Sequence, residues 1–70
     1  MLRSRVTSTS IASVGYDVAS YVLEVEFENG HVYQYFDVPE LVVAEFLRAS
    51  SLGNYMNLYI RDAYRFTQIE

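Results

Sequence analysis

Leu23–Phe36 reads LEVEFENGHVYQYF, and the fold turns on how this stretch is paired. Tyr21, Leu23, Val25 and Phe27 fall on one side of an extended chain, with Glu24, Glu26 and Glu28 on the other. This two-residue period is the mark of a half-buried antiparallel strand. Asn29-Gly30 tolerates positive φ and closes a hairpin, after which His31–Asp37 returns as a second strand. A two-residue loop would pair Phe27 with Val32 and Val25 with Gln34, burying an amide and leaving Tyr33 and Tyr35 outside among glutamates. A loop one residue longer, with Gly30 as a bulge, pairs Val25 with Tyr33 and Leu23 with Tyr35 and turns both rings inward. That second register is favoured, at the cost of exposing Val32 and Phe36.

Before the hairpin, Ser8–Gly15 has small and β-branched residues without a helical stripe and reads as a strand, with Tyr16–Ser20 as a turn. Residues 1–7 read as a flexible start to one 70-residue domain. After the hairpin, Asp37-Val38-Pro39-Glu40 is a helix start, with Asp37 as cap and proline in the first turn. Val42, Val43, Phe46 and Leu47 form the apolar stripe of that helix. Leu52, Tyr55, Met56, Tyr59 and Ile60 repeat helical spacing, and Tyr64–Ile69 alternates like a terminal strand. The expected fold class is α+β: a three-stranded antiparallel meander, two short helices on one face and a short C-terminal strand.

A 70-residue chain buries only about three fifths of its unfolded surface, so it needs a staple or an unusually apolar core. It has no cysteine and one histidine, which excludes disulfides and any thiolate or multi-imidazole metal site. The available resource is a 51% hydrophobic composition with seven tyrosines and four phenylalanines. The absence of cysteine, of a secretory leader and of a membrane-length apolar run leads to the expectation of a soluble cytoplasmic protein. Net charge is −4, and all five basic residues are arginine. Asp17–Glu45 holds seven acidic residues and no basic one, so the cations sit toward the two ends of the chain.

Taken in order, the segments from Ser10 to Asp17, LEVEF, NG, Tyr33-Gln34-Tyr35, Val38-Pro39 and SLGNYMN running into Tyr59-Ile60-Arg61 resemble the KTSC domain, a module of this length. That family is named for its occurrence at the C-terminus of some lysyl-tRNA synthetases, and it also stands alone as a small protein. Met56 replaces an expected aromatic ring, and the lysines common in such modules are missing. The resemblance implies an accessory unit for which RNA binding has been suggested; it supplies no catalytic residue and no cofactor.

The residues themselves offer three chemistries. His31 is the only general base of the usual type and flanks a solvated turn, unconnected by spacing to a nucleophile. Three glutamates on one strand face would attract a hard cation, but they lack carbonyl-rich loop geometry and read as a solvent face that discourages edge pairing. Neither a metal nor a catalytic site is expected, and the chain reads as non-enzymatic. Tyrosines with arginines suggest a surface where bases stack while guanidinium groups hold phosphates. Tyr33 and Tyr35 are the candidate platform, and Arg5, Arg61 and Arg65 the phosphate contacts. If the terminal strand pairs with the first, Arg65 approaches Arg5 and forms a local basic patch. The competing reading is a protein-interaction or homodimerisation module, using Val32, Phe36 and the free hairpin edge.

Overall fold

Five strands pair in chain order into one antiparallel sheet: β1 (Ser4–Arg5), β2 (Ile11–Asp17), β3 (Val22–Phe27), β4 (Val32–Tyr35) and β5 (Phe66–Gln68). The structure is a computed structural model describing Met1–Glu70. The class is α+β as expected, but the meander has five strands where three and a separate terminal strand were expected. Residues 1–7, read as a flexible start, contain β1, whose Ser4 and Arg5 pair with Val14 and Ser13. The C-terminal strand lies against β4, with Tyr35 opposite Phe66 and Tyr33 opposite Gln68. Phe66 packs its ring 5.7 Å from both Tyr33 and Tyr35, and this aromatic contact favours that edge.

The β3–β4 hairpin takes the bulged register: Val25 faces Tyr33 and Leu23 faces Tyr35. Gly30 has φ +92° and donates to the Phe27 carbonyl at 2.9 Å, while Phe27 N–H donates to His31 at 2.9 Å. Both tyrosines turn toward the core, Tyr35 being buried and Tyr33 half-buried. The expected exposure of Val32 is wrong, because its side chain is fully buried and its backbone N–H and C=O are bonded to Glu70 and Ile69. Phe36 is half-buried beneath the Arg65 guanidinium, 5.5 Å from the ring centre.

Other local expectations shift for identifiable reasons. Tyr21 lies in the β2–β3 turn with φ +60° and is exposed; its carbonyl accepts from Val38 N–H at 3.0 Å. Asp37 also has φ +59°, a left-handed conformation aspartate tolerates, and so turns the chain instead of capping it. Pro39 occupies the N-cap of α1 (Glu40–Arg48) with extended backbone. A second helix, α2 (Leu52–Tyr55), is capped by Ser51 Oγ accepting from Asn54 N–H at 3.3 Å. It runs without a break into a π-helical segment, Met56–Ile60.

Both helices cover one face of the sheet. Val43, Phe46, Leu52, Met56 and Ile60 meet Ile11, Val14, Leu23, Val25 and Tyr35 in the core. Burial of such side chains is worth about 1.5–3 kcal/mol each, and for a domain this small it is the main source of stability. The other face carries no helix and is mainly polar, although the buried Val32 lies on it opposite Glu26. There the expected solvent exposure of Glu24 fails: its residue is 4% exposed, because Arg3 reaches across β2 to pair with it. Gly15 makes the crossing feasible, since a Cβ there would lie 2.5 Å from the Leu2 carbonyl oxygen and 3.1 Å from Arg3 Cγ.

Candidate functional site

The sheet and the end of the second helix diverge to leave a cleft of about 650 Å³. Its sheet wall is aromatic: Phe27 on β3, Tyr33 and Tyr35 on β4 and Phe66 on β5. These residues share the helix-facing side because the bulged register aligns β3 with β4 and β4 with β5. The Tyr33 and Tyr35 rings stand 6.3 Å apart at 20° to each other, and Phe27 meets Tyr33 edge-on at 5.6 Å. The rings pack on one another as a preformed aromatic wall, in which Tyr35 is 3% exposed.

The opposite wall comes from the helix. Met56 lines the floor, and Asn57, Arg61 and Asp62 line the mouth. Within the π turn, Arg61 N–H donates to the Met56 carbonyl five residues back at 2.8 Å, and the wider turn leaves Asn57 and Arg61 on the cleft side. Such turns are frequent at functional sites. Burial pushes the Tyr35 phenol up from its ordinary value, Tyr33 and Asp62 add to the rise, and Arg61 opposes it.

Of the residues singled out from sequence, Tyr33, Tyr35 and Arg61 meet in this cleft, whereas Arg5 and Arg65 do not. The patch that would join Arg5 to Arg65 does not form, because β5 pairs with β4 and the two arginines lie at opposite edges of the sheet. Arg65 forms an exposed ion pair with Asp37 at 3.2 Å and covers Phe36. Arg5 pairs opposite Ser13 on β2, on the helix-free face. Phe27, Phe66 and Asn57 were not among the candidates. Phe27 had a usable signal, since it shares the face of Leu23 and Val25, whose partners are the two tyrosines.

Glu24 and Glu26 of the helix-free face are engaged. Glu24 pairs with Arg3 and accepts from Gln34 Nε2 at 2.9 Å, while Ser13 Oγ donates to Glu26 at 2.7 Å and accepts from Arg3 Nε at 3.1 Å. Burial pushes the Glu24 carboxyl up, but the hydrogen bonds from Gln34 and Arg3 and the Arg3 charge outweigh it and hold the group below its ordinary range. No group of three or more histidine, cysteine, aspartate or glutamate side chains comes together as a metal cage. His31 is exposed at the turn, its Nδ1 3.0 Å from Gln68 Nε2. No helix is long and apolar enough to cross a membrane.

Comparison with known proteins places this architecture. The KTSC domain family model matches residues 7–64. The chain belongs to the KTSC domain family. A KTSC domain protein of Yersinia pestis, known from its crystal structure, superposes with a TM-score of 0.93 at 36% identity, over 99% of this chain and 97% of that one. An uncharacterised protein of Stutzerimonas stutzeri is 41% identical over the full length of both chains. The lysine–tRNA ligase of Nostoc punctiforme is 34% identical over 84% of this chain, which spans only 10% of that enzyme. KTSC domains thus occur both as small proteins and as a minor part of a tRNA ligase.

Proposed function

We propose that this KTSC domain is a non-catalytic accessory module that binds unpaired RNA, holding a base in the aromatic cleft and the adjoining phosphate at Arg61. One observation carries the reading: Tyr33, Tyr35 and Arg61 line a single cleft together with Phe27 and Phe66. Base stacking on aromatic rings is worth about 1–3 kcal/mol per base, and a guanidinium at the mouth suits a phosphate oxygen pair. A duplex cannot present its bases to such a cleft, so the ligand is a loop, bulge or end. The occurrence of related sequence in lysine–tRNA ligases supports an RNA setting.

Charge sets the expected strength. The domain carries −4, Asp62 sits beside Arg61 in the cleft, and Arg65 is engaged by Asp37. Binding therefore rests on stacking with about one phosphate contact, and the affinity should fall with salt at a logarithmic slope near −0.7, the value for one contact on a single strand. The test is fluorescence anisotropy with a short oligouridylate and with tRNA at two salt concentrations. Arg61→Glu should abolish binding, whereas Arg65→Glu should leave it within about twofold. Equal affinities for wild type and Arg61→Glu would refute the assignment.

A protein-interaction or homodimerisation module is the second reading, favoured by the outer edge of β5, where Phe66 and Ile69 remain half exposed. An edge of this kind accepts a further strand. Concentration-dependent mass in light scattering, with no RNA bound at low salt, would support it over the first.

A further inference from the structure

Residues 1–6 run as an arm along the outer edge of β2, and the site beneath them is built to take an arginine. The β1–β2 register sets Ser4 opposite Val14 and Arg5 opposite Ser13, which carries Arg3 opposite Gly15. The β3 partner of Gly15 is Glu24, and the β4 partner of Glu24 is Gln34. Arg3, Glu24 and Gln34 therefore share one row across the helix-free face, and the guanidinium passes over the glycine to reach the carboxylate. Glu24 is buried and also accepts from Gln34 Nε2, while Arg3 donates from Nε to Ser13 Oγ. A carboxylate enclosed in this way needs a cation beside it. The planar fork of a guanidinium donates to Ser13 and Glu24 at once from one rigid group, a geometry that the point charge of an ammonium does not match.

We infer that the β2 edge, with Gly15 and Glu24, is a strand-acceptor site specific for arginine, that the N-terminal arm is its built-in occupant, and that an extended segment of a partner protein carrying an arginine at the Arg3 position binds there by displacing the arm. The arm itself shows the fit, since an extended, arginine-bearing strand already sits in the site. Backbone pairing with β2 supplies affinity for such a strand, and the glycine gap with the buried carboxylate supplies specificity. The net charge of −4 favours a basic segment over an acidic one. The arm is lightly held: β1 is two exposed residues long, and Met1 and Leu2 are exposed. The matched family region, residues 7–64, contains Gly15, Glu24 and Gln34 but not the arm. The site therefore belongs to the shared body of the domain, and the arm is an addition to it. This row lies on the sheet face opposite the aromatic cleft, so the inference stands apart from the RNA reading.

The experiment titrates full-length wild type and Arg3→Met with a blocked Leu-Arg-Ser-Arg-Val peptide, followed by NMR. A second peptide with methionine in place of the first arginine is the control. In Arg3→Met, whose arm has lost its anchor, the arginine peptide should shift the Val14 backbone amide and the Gln34 side-chain amide and raise the denaturation midpoint. Wild type should need at least about tenfold more peptide, because a tethered arm competes at an effective concentration of millimolar order. The methionine peptide should do neither. Gly15→Ala should not respond to either peptide although its arm is expelled, because the new Cβ would meet the backbone of any strand lying where Leu2 lies. If Arg3→Met is unfolded by itself, the readout is the circular dichroism signal recovered on adding the arginine peptide. No response of Arg3→Met by either readout overturns the inference. So does an equal response to the two peptides, equal affinity of wild type and Arg3→Met, or binding by Gly15→Ala.

Discussion

Arg3→Met should cost this domain a large share of its stability, and the reason lies on the helix-free face of the sheet. The Glu24 residue is 4% exposed, with its carboxylate held by Arg3 and by the Gln34 amide. Removing one partner of a buried ion pair typically costs about 3–5 kcal/mol. Here the Arg3 side chain is itself 24% exposed, so water partly replaces it, and Gln34 remains; the expected loss is about 2 kcal/mol. A 70-residue domain has a total stability of about 4–10 kcal/mol, and at about 4–8 °C per kcal/mol the midpoint should fall by about 8–16 °C. Urea denaturation followed by circular dichroism measures the loss. Because the penalty arises from a stranded charge, adding Glu24→Gln to Arg3→Met should restore much of it. The pH dependence gives an independent reading. Glu24 titrates lower in the folded chain than its ordinary value of 4.5, so the unfolded state binds the proton first and acid removes stability. The Glu24 contribution is present above about pH 5 and is lost as pH falls through 4.5 toward the folded value. In Arg3→Met that acid slope should flatten. A loss under about 0.5 kcal/mol, the size expected of an ordinary surface change, would refute the reasoning, as would an Arg3→Met chain that keeps the wild-type acid slope.

Three further outcomes are expected. Gly15→Ala should expel the N-terminal arm from β2, because the new Cβ would lie 2.5 Å from the Leu2 carbonyl oxygen; its denaturation midpoint should drop, and combining it with Arg3→Met should cost little more than either alone. Tyr16→Phe removes the 2.6 Å hydrogen bond from the phenol to the Val38 carbonyl and should lose about 1 kcal/mol. Burial, with Glu40 and the neighbouring Tyr21 and Asp17, raises the Tyr16 phenol above 10.0, so wild type should lose stability as pH climbs past 10 and Tyr16→Phe should lose less over that range. Gly30→Ala adds no clash, since nothing lies within 4 Å of the new Cβ, but forces alanine to φ +92°; a loss of about 1–2 kcal/mol is expected, with Gly30→Asn intermediate.

Legibility followed the range of the interactions involved. The β3–β4 hairpin and its bulge could be read because alternation, the Asn-Gly turn and the cost of burying Gln34 all act within fourteen residues. The core stripe of α1 was readable for Val43 and Phe46, although Leu47 turns outward. Glu24 could not be read, because its burial depends on a side chain 21 positions away passing over a glycine. β1 is two residues long and has no period to detect. The partner of β5 is a choice between sheet edges, made by the contact of Phe66 with two tyrosine rings. The π turn has no sequence signature comparable to a cap. In the cleft the tyrosines and Arg61 were legible by chemistry, but their meeting depended on strand order, and for the same reason Arg5 and Arg65 were misplaced.

Sequential strand order also governs how such a domain can be joined to others. The chain enters at one edge of the sheet and leaves at the other, four inter-strand spacings away, or about 19 Å. A host loop would have to span that width to accept the domain as an insertion, and a circular permutant would need a linker crossing a whole face. End-to-end attachment meets neither obstacle, so the topology favours appending this unit to a larger chain over splicing it into one.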